Sequence, residues 1–134
     1  ARDSITQAAI LASGAVIVPV QPTPMDYQAA EVILPLIRNA ATLKPDLQVL
    51  IVTSRKQSNN NLMRESRSAA LQFFQLEGLS LRLLETEIHN RIAYAECVGL
   101  GTSVLEHSPG SKAAEDIALL TKEVVECLSA KTAA

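Results

Sequence analysis

The 134-residue chain has no tryptophan, and aromatic residues make up only 3% of it. A platform on which nucleic-acid bases stack is therefore short of material. Two cysteines, Cys97 and Cys127, are too few and too irregularly spaced for a disulfide framework, which points to a reducing compartment. Taken with His89 and His107, they form none of the close pairs of a structural zinc site. The formal charge of −2 excludes a globally basic nucleic-acid binder but leaves room for a local basic patch. Hydrophobic residues reach 48%, yet no apolar run approaches the roughly 20 residues of a membrane span, and no signal peptide is expected. Glu96 and Glu106 lack a partner carboxylate at a recognisable spacing, so no catalytic acid–base role is assigned.

What the chain does have is alternation of strand-like and helix-like stretches over one domain, residues 1–134. Ser4 to Ser13 is a short amphipathic helix with Ile5, Ala8, Ala9 and Ala12 on its buried face and Gly14 at its end. Val16, Ile17, Val18 and Val20 belong to a β-branched run over Ala15–Val20 that reads as a strand covered on both faces. Pro19, Pro22 and Pro24 then remove backbone donors and fix φ, so strand pairing stops. Asp26 is expected to cap a helix reaching Leu43, bent at Pro35, that buries Ala30, Ile33, Leu34, Ile37, Ala40 and Ala41. "LQVLIVTS", Leu47 to Ser54, is a second buried strand, and "RKQSNNN" a polar connection. A helix follows from Leu62 to Leu76, burying Leu62, Ser66, Ala69, Ala70, Phe73 and Phe74, with Gly78 closing it. "LSLRLLETEI", Leu79 to Ile88, is a more exposed strand. "NRIAYAECVGLG" is a short helix ending in glycines, whose Gly99-Leu100-Gly101 is a turn rather than a phosphate loop. "TSVLEHSPG" is a short extended piece and a turn. The last helix, Ser111 to Leu128, buries Ala114, Ile117, Ala118, Thr121, Val124, Val125 and Leu128, with Cys127 partly buried. Strands alternating with helices predict an α/β fold with a mostly parallel sheet flanked by helices. Three strands are few for so many helices, so the sheet is expected to be part of a larger one.

Several of these stretches, in this order, resemble the ParA/MinD family of deviant P-loop ATPases, in particular the small ParA proteins that partition plasmids. "ITQAAILASGAVIVPVQPTPMDYQAAEVI" is similar to the family's helix, strand and proline-rich loop after the Walker B strand, with Gly14 where an Asp is usual. "VLIVTSRK" resembles the strand leading to the loop that faces the adenine. "ETEIHNRIAYAECVGLGTSVLEHSPGSKAAEDI" resembles the C-terminal signature. The family's Gly-rich loop with its lysines has no counterpart here: no GKT or GKS occurs in the 134 residues. The chain therefore resembles the portion of a ParA-type ATPase that follows Walker B, incomplete at its N-terminus, and is expected to be inactive in ATP hydrolysis by itself.

The resemblance implies a division of labour among residues. Thr53, Arg55, Gln21 and Pro22 would lie on the adenine side of the nucleotide, Arg55 being favoured because a guanidinium stacks on a ring as well as donating. Asp26 is read as a helix cap. Lys56, Arg64, Arg67 and Arg91 would contact DNA through its phosphates, without base readout. The family uses ATP and Mg²⁺, neither expected to bind tightly to this chain alone. It forms homodimers, binds DNA non-specifically and works with a ParB-type centromere-binding partner, in the cytoplasm and on the nucleoid. Two alternatives belong beside this one. One is a non-enzymatic α/β interaction module that has lost nucleotide binding. The other is a MinD-like ATPase that positions cargo, although the tail "KEVVECLSAKTAA" lacks the bulky apolar and basic faces of a membrane-binding helix.

Overall fold

The computed structural model describes residues 2–56, 61–76 and 81–133; the side chains of residues 2, 24, 61–66, 75–76 and 131–133 are not among those described. Three strands, β1 (Ala15–Val20), β2 (Gln48–Lys56) and β3 (Leu81–His89), form one parallel sheet in the order β1-β2-β3. Among the described residues seven helices accompany them: α1 (Arg2–Ala12), α2 (Pro24–Ala30), α3 (Leu34–Leu43), α4 (Asn61–Leu76), α5 (Ile92–Gly99), α6 (Val104–His107) and α7 (Lys112–Ala133). The α/β class and the parallel sheet expected from the sequence are what the structure contains.

The period-2 alternation of the strands sorts two cores. On one face Val18, Val20, Val49 and Ile51 pack against Ile10 of α1, Tyr27 of α2, Leu34 and Ile37 of α3, and Phe74 of α4. Three of the four aromatic residues meet there. Tyr27 lies 5.8 Å from Phe73, ring centre to ring centre, and Phe73 lies edge-on to Phe74 at 5.1 Å, which ties α2 to α4. On the other face Leu50, Val52 and Leu84 are covered by Cys127, Leu120 and Val124 of α7. A third, smaller cluster joins Cys97 of α5, Val104 of α6 and Ala113 of α7.

The second face is covered unevenly. Leu50 is 1% exposed, whereas Ile17, its neighbour in register on β1, is 45% exposed. The outer edge of β1 is also open. The Gly14 carbonyl accepts the Gln48 N–H at 3.4 Å, so alternation turns the backbone groups of Ala15, Ile17 and Pro19 away from β2. Pro19, with no N–H to offer, sits where a missing donor breaks no ladder bond. A groove of about 410 Å³ runs along this edge between Ala9 and Ile10 of α1 and Ile33.

Several local expectations are corrected. The helix expected from Asp26 to Leu43 is two helices, because Pro35 stands in the first turn of α3, where its missing N–H has no helical partner to lose. The cap of α2 is Thr23 rather than Asp26. The Asp26 N–H donates to Thr23 Oγ1 at 3.2 Å, the N-cap bond, and the Thr23 hydroxyl donates to the Asp26 carboxylate, with Pro24 at the helix start. β2 continues two residues beyond Ser54, so Arg55 and Lys56 end a strand instead of opening a loop. "SVLEH" is the short helix α6, capped by the Ser103 hydroxyl, which accepts the Glu106 N–H. In α1, Ile10 is the buried residue and Ile5 is exposed, since the helix rests on α3 through its C-terminal turn. In α7, Ala118, Thr121, Val125 and Leu128 are exposed; the sheet meets Leu120, Val124 and Cys127, one helical position away, and Ile117 packs into the α5–α6 cluster. Ala69 is likewise exposed, beside buried Ala70. Gly101 closes α5 as expected: at φ +68° it takes the left-handed position of a Schellman cap, with Thr102 N–H donating to the Cys97 carbonyl at 3.0 Å. The expected stop at Gly78 and the start of the third strand at Leu79 lie outside the described residues.

Candidate functional site

In an open parallel sheet the carboxyl ends of the strands are where ligands collect. Here those ends are shaped by breaks in register. Between Thr53 and Lys56 of β2 only Glu87 to His89 of β3 stand opposite, so β2 carries one extra residue. Arg55 absorbs it at φ +51°, the one non-glycine residue in the left-handed region among those described. That conformation is costly for a side chain with a Cβ, by roughly 1–2 kcal/mol.

Beside this bulge the ends of β1 and β2 flank a cleft of about 390 Å³ lined by Val20, Gln21, Asp26, Ile33 and Ser54. The Ser54 hydroxyl reaches the Val20 carbonyl at 3.5 Å. Of the residues assigned to the adenine side, Gln21 lines the cleft itself. Pro22 is half-buried on the next position, and Arg55 is exposed beyond Ser54. Thr53 is buried between Val20 and Glu87, as the floor of the edge rather than a group presented to solvent. Tyr27, under the same loop, has its phenol pushed above its ordinary value by burial and then by the Asp26 charge, so it stays neutral.

Of the residues assigned to DNA, Lys56, Arg67 and Arg91 each meet an acid of this chain. Lys56 Nζ lies 2.8 Å from Glu87 Oε2. Arg91 donates from Nε to Asp116 Oδ2 at 3.1 Å, and the same oxygen lies 3.4 Å from His89 Nδ1 and accepts the His89 backbone N–H at 3.4 Å. The neighbouring Tyr94 phenol donates to the Ala113 carbonyl at 3.1 Å; burial and the Asp116 charge push its pKa up, against a smaller downward pull from Arg91. Arg67 is further away, on the outer edge of β3. It donates to the Leu84 carbonyl at 2.9 Å and the Leu83 carbonyl at 3.4 Å, and meets Glu85 at 3.0 Å. The Arg64 side chain lies outside the described ones. Lys56, His89 and Arg91 thus come together at one end of the sheet, while Arg67 stands apart from them.

Asp116, Glu87 and Glu123 were not singled out by sequence reasoning. Asp116 and Glu123 are seven residues apart, so they share one flank of α7, and that spacing beside an apolar stripe is the signal that was there to find. Glu123 accepts the N–H groups of Glu85 at 2.6 Å and Thr86 at 2.8 Å. Among the described residues no three His, Cys, Asp or Glu side chains gather as a metal site. No described helix is long and apolar enough to cross a membrane.

No protein-family model matches the chain. It is similar to the maintenance of carboxysome distribution protein A of Halothiobacillus neapolitanus, with 25% identity over 111 residues, which is 82% of this chain and 49% of that protein. The chain spans about half the length of the curated relative it matches. The likeness gives the ParA/MinD resemblance distant support.

Proposed function

We infer that the chain is the part of a ParA-type positioning ATPase that supplies the base side of the nucleotide site and a DNA-facing end of the sheet. The observation that carries this is the strained Arg55 at the end of the middle strand, next to the cleft at Gln21 and Ser54. Strain of that kind persists where the surroundings impose it, and it clusters at binding sites. The residues present fit the base end of a nucleotide only. A guanidinium, an amide and a hydroxyl border a part-apolar cleft, whereas phosphates and Mg²⁺ need a Gly-rich loop with a lysine that these residues do not include. In the intact protein ATP would promote a dimer, and two copies of a modest basic patch would hold DNA through its phosphates.

What the ATPase positions is open to two readings. Plasmid or chromosome partition with a ParB-type partner follows from the sequence motifs. Positioning of a protein cargo is favoured by the similar protein, whose name assigns it to carboxysome distribution.

The test is nuclear magnetic resonance of the chain with millimolar ATP, read against Arg55→Gly. Glycine relieves the left-handed strain, so the variant should gain about 1 kcal/mol in stability. Weak binding with shifts confined to the amides of Gln21, Ser54 and Arg55, and diminished in the variant, is the expected result. Shifts elsewhere, or none at any concentration, would remove the nucleotide reading.

A further inference from the structure

We propose that Asp116 occupies a phosphate position: its carboxylate stands in for a backbone phosphate of DNA between Arg91 and His89, and DNA binds by displacing it. The inference rests on the DNA-facing part of the reading above and adds its regulation. Three groups converge on the single oxygen Oδ2 of Asp116: the Arg91 Nε–H, the His89 backbone N–H and His89 Nδ1. A guanidinium, a backbone amide and an imidazole are a set that suits a phosphodiester oxygen as well as a carboxylate. Lys56 stands opposite His89 in the β2–β3 ladder, and the Asn90 N–H donates to its carbonyl at 3.0 Å, which brings a second cation to the same end.

Both cations are neutralised from within, Lys56 by Glu87 and Arg91 by Asp116. The two acids differ in where they come from. Glu87 is on β3 itself, whereas Asp116 is on α7, which reaches over the strand end from the far side of the chain. Its side chain is 13% exposed, against 28% for Arg91 and 33% for His89, so the two basic groups are the more accessible members of the set and all three can be reached in part from solvent. A rotamer change in Asp116 empties the position without breaking a ladder bond. Such a built-in competitor keeps non-specific DNA affinity low until many phosphates are offered together, as a long duplex offers them to paired copies.

The experiment is fluorescence anisotropy of a labelled duplex at about 0.1 M salt with Asp116→Asn, alone and combined with Arg91→Ala. Glu126→Gln, on the exposed side of α7, is the control for the same change in net charge. Asp116→Asn should bind about fivefold more tightly than the wild type, the control less than about twofold, and Arg91→Ala should abolish the gain. Equal effects of Asp116→Asn and the control would overturn the proposal. If Lys56→Ala and Arg91→Ala both leave DNA affinity unchanged, the DNA-facing reading itself fails; if Arg91→Ala weakens binding and Asp116→Asn changes nothing, only the displacement fails. Should Asp116→Asn not fold, the Arg91 Nε–H resonance of the wild type decides. It should move as duplex is added, and a signal unmoved at saturation overturns the proposal. Movement with inorganic phosphate but not with duplex would assign the position to a free anion and also overturn it.

Discussion

The two edges of the sheet are finished in opposite ways. At β3 the strand bulges: three residues of β2, from Ile51 to Thr53, face five of β3, from Leu83 to Glu87. The surplus backbone groups turn outward, and side chains from both layers take them up. Arg67 of α4 donates to two successive carbonyls, and Glu123 of α7 accepts from two successive amides. β1 is the other edge strand among the described residues, where Pro19 removes one donor and Ile17 stands half-covered. A strand edge sealed by side chains resists pairing with another strand, whereas an open one invites it. The sealed edge of the sheet is therefore β3. α7 shows the same asymmetry along its length. Its Asp116 and Glu123 flank serves β3, and its Ala118, Thr121, Val125 and Leu128 flank, about 170° round the helix, is exposed.

The strongest way to break the contrast is Glu123→Ala. It leaves two adjacent amides without their acceptor and should destabilise the chain by about 2 kcal/mol in urea unfolding, since water can reach part of the gap. Arg67→Ala comes next, at about 1.5 kcal/mol, through two lost carbonyl bonds; the contact to Glu85, which is 86% exposed, adds little. Arg67→Lys should recover only part of this, because a single ammonium nitrogen cannot reproduce the two separate guanidinium nitrogens that meet the two carbonyls.

Acid sharpens the same point. Burial alone would push the Glu123 carboxyl up, but hydrogen bonds from Thr86 and Glu85, with the Arg82 charge, outweigh it and hold the carboxyl below its ordinary value of 4.5. A depressed carboxylate contributes stability above the unfolded value that is lost as pH falls through the lower folded one. Stability measured from pH 6 to 3 should fall less steeply in Glu123→Gln than in the wild type. The smallest effect belongs to β1. Ile17→Lys should alter stability by no more than about 0.5 kcal/mol while suppressing any concentration-dependent sedimentation of the wild type. A loss of several times that would show that Ile17 is covered in solution.

The elements legible in the sequence were those set by runs and breakers. β1 and β2 followed from β-branched runs, and the α3 stripe at Leu34, Ile37 and Ala40 from its spacing. What was missed depended on partners far along the chain. Pro35 looked like a bend because a helix start and a kink share the same residue, and the choice is made by the turn at Glu31–Ile33. Val125 and Leu128 are as apolar as Val124 and Cys127, so periodicity alone could not tell which flank meets the sheet. Glu123 was passed over because its partners are backbone amides freed by a bulge, and Asp116 because Arg91 and His89 lie on a different element; only their shared flank on α7 hinted at either. Arg55 was chosen for its side chain; its backbone conformation is the more informative property, and no residue type announced it.

The two thiols have a use that follows from where they are buried. Cys97 belongs to the small α5–α6–α7 cluster and Cys127 to the core beneath α7, and both are free. A thiol reagent reaches each only when its own surroundings open. The two labelling rates, resolved by peptide mass, are separate stopwatches for the C-terminal cluster and for the sheet. Comparing them with and without DNA would tell whether binding at the strand ends loosens the seat of α7 or leaves it closed.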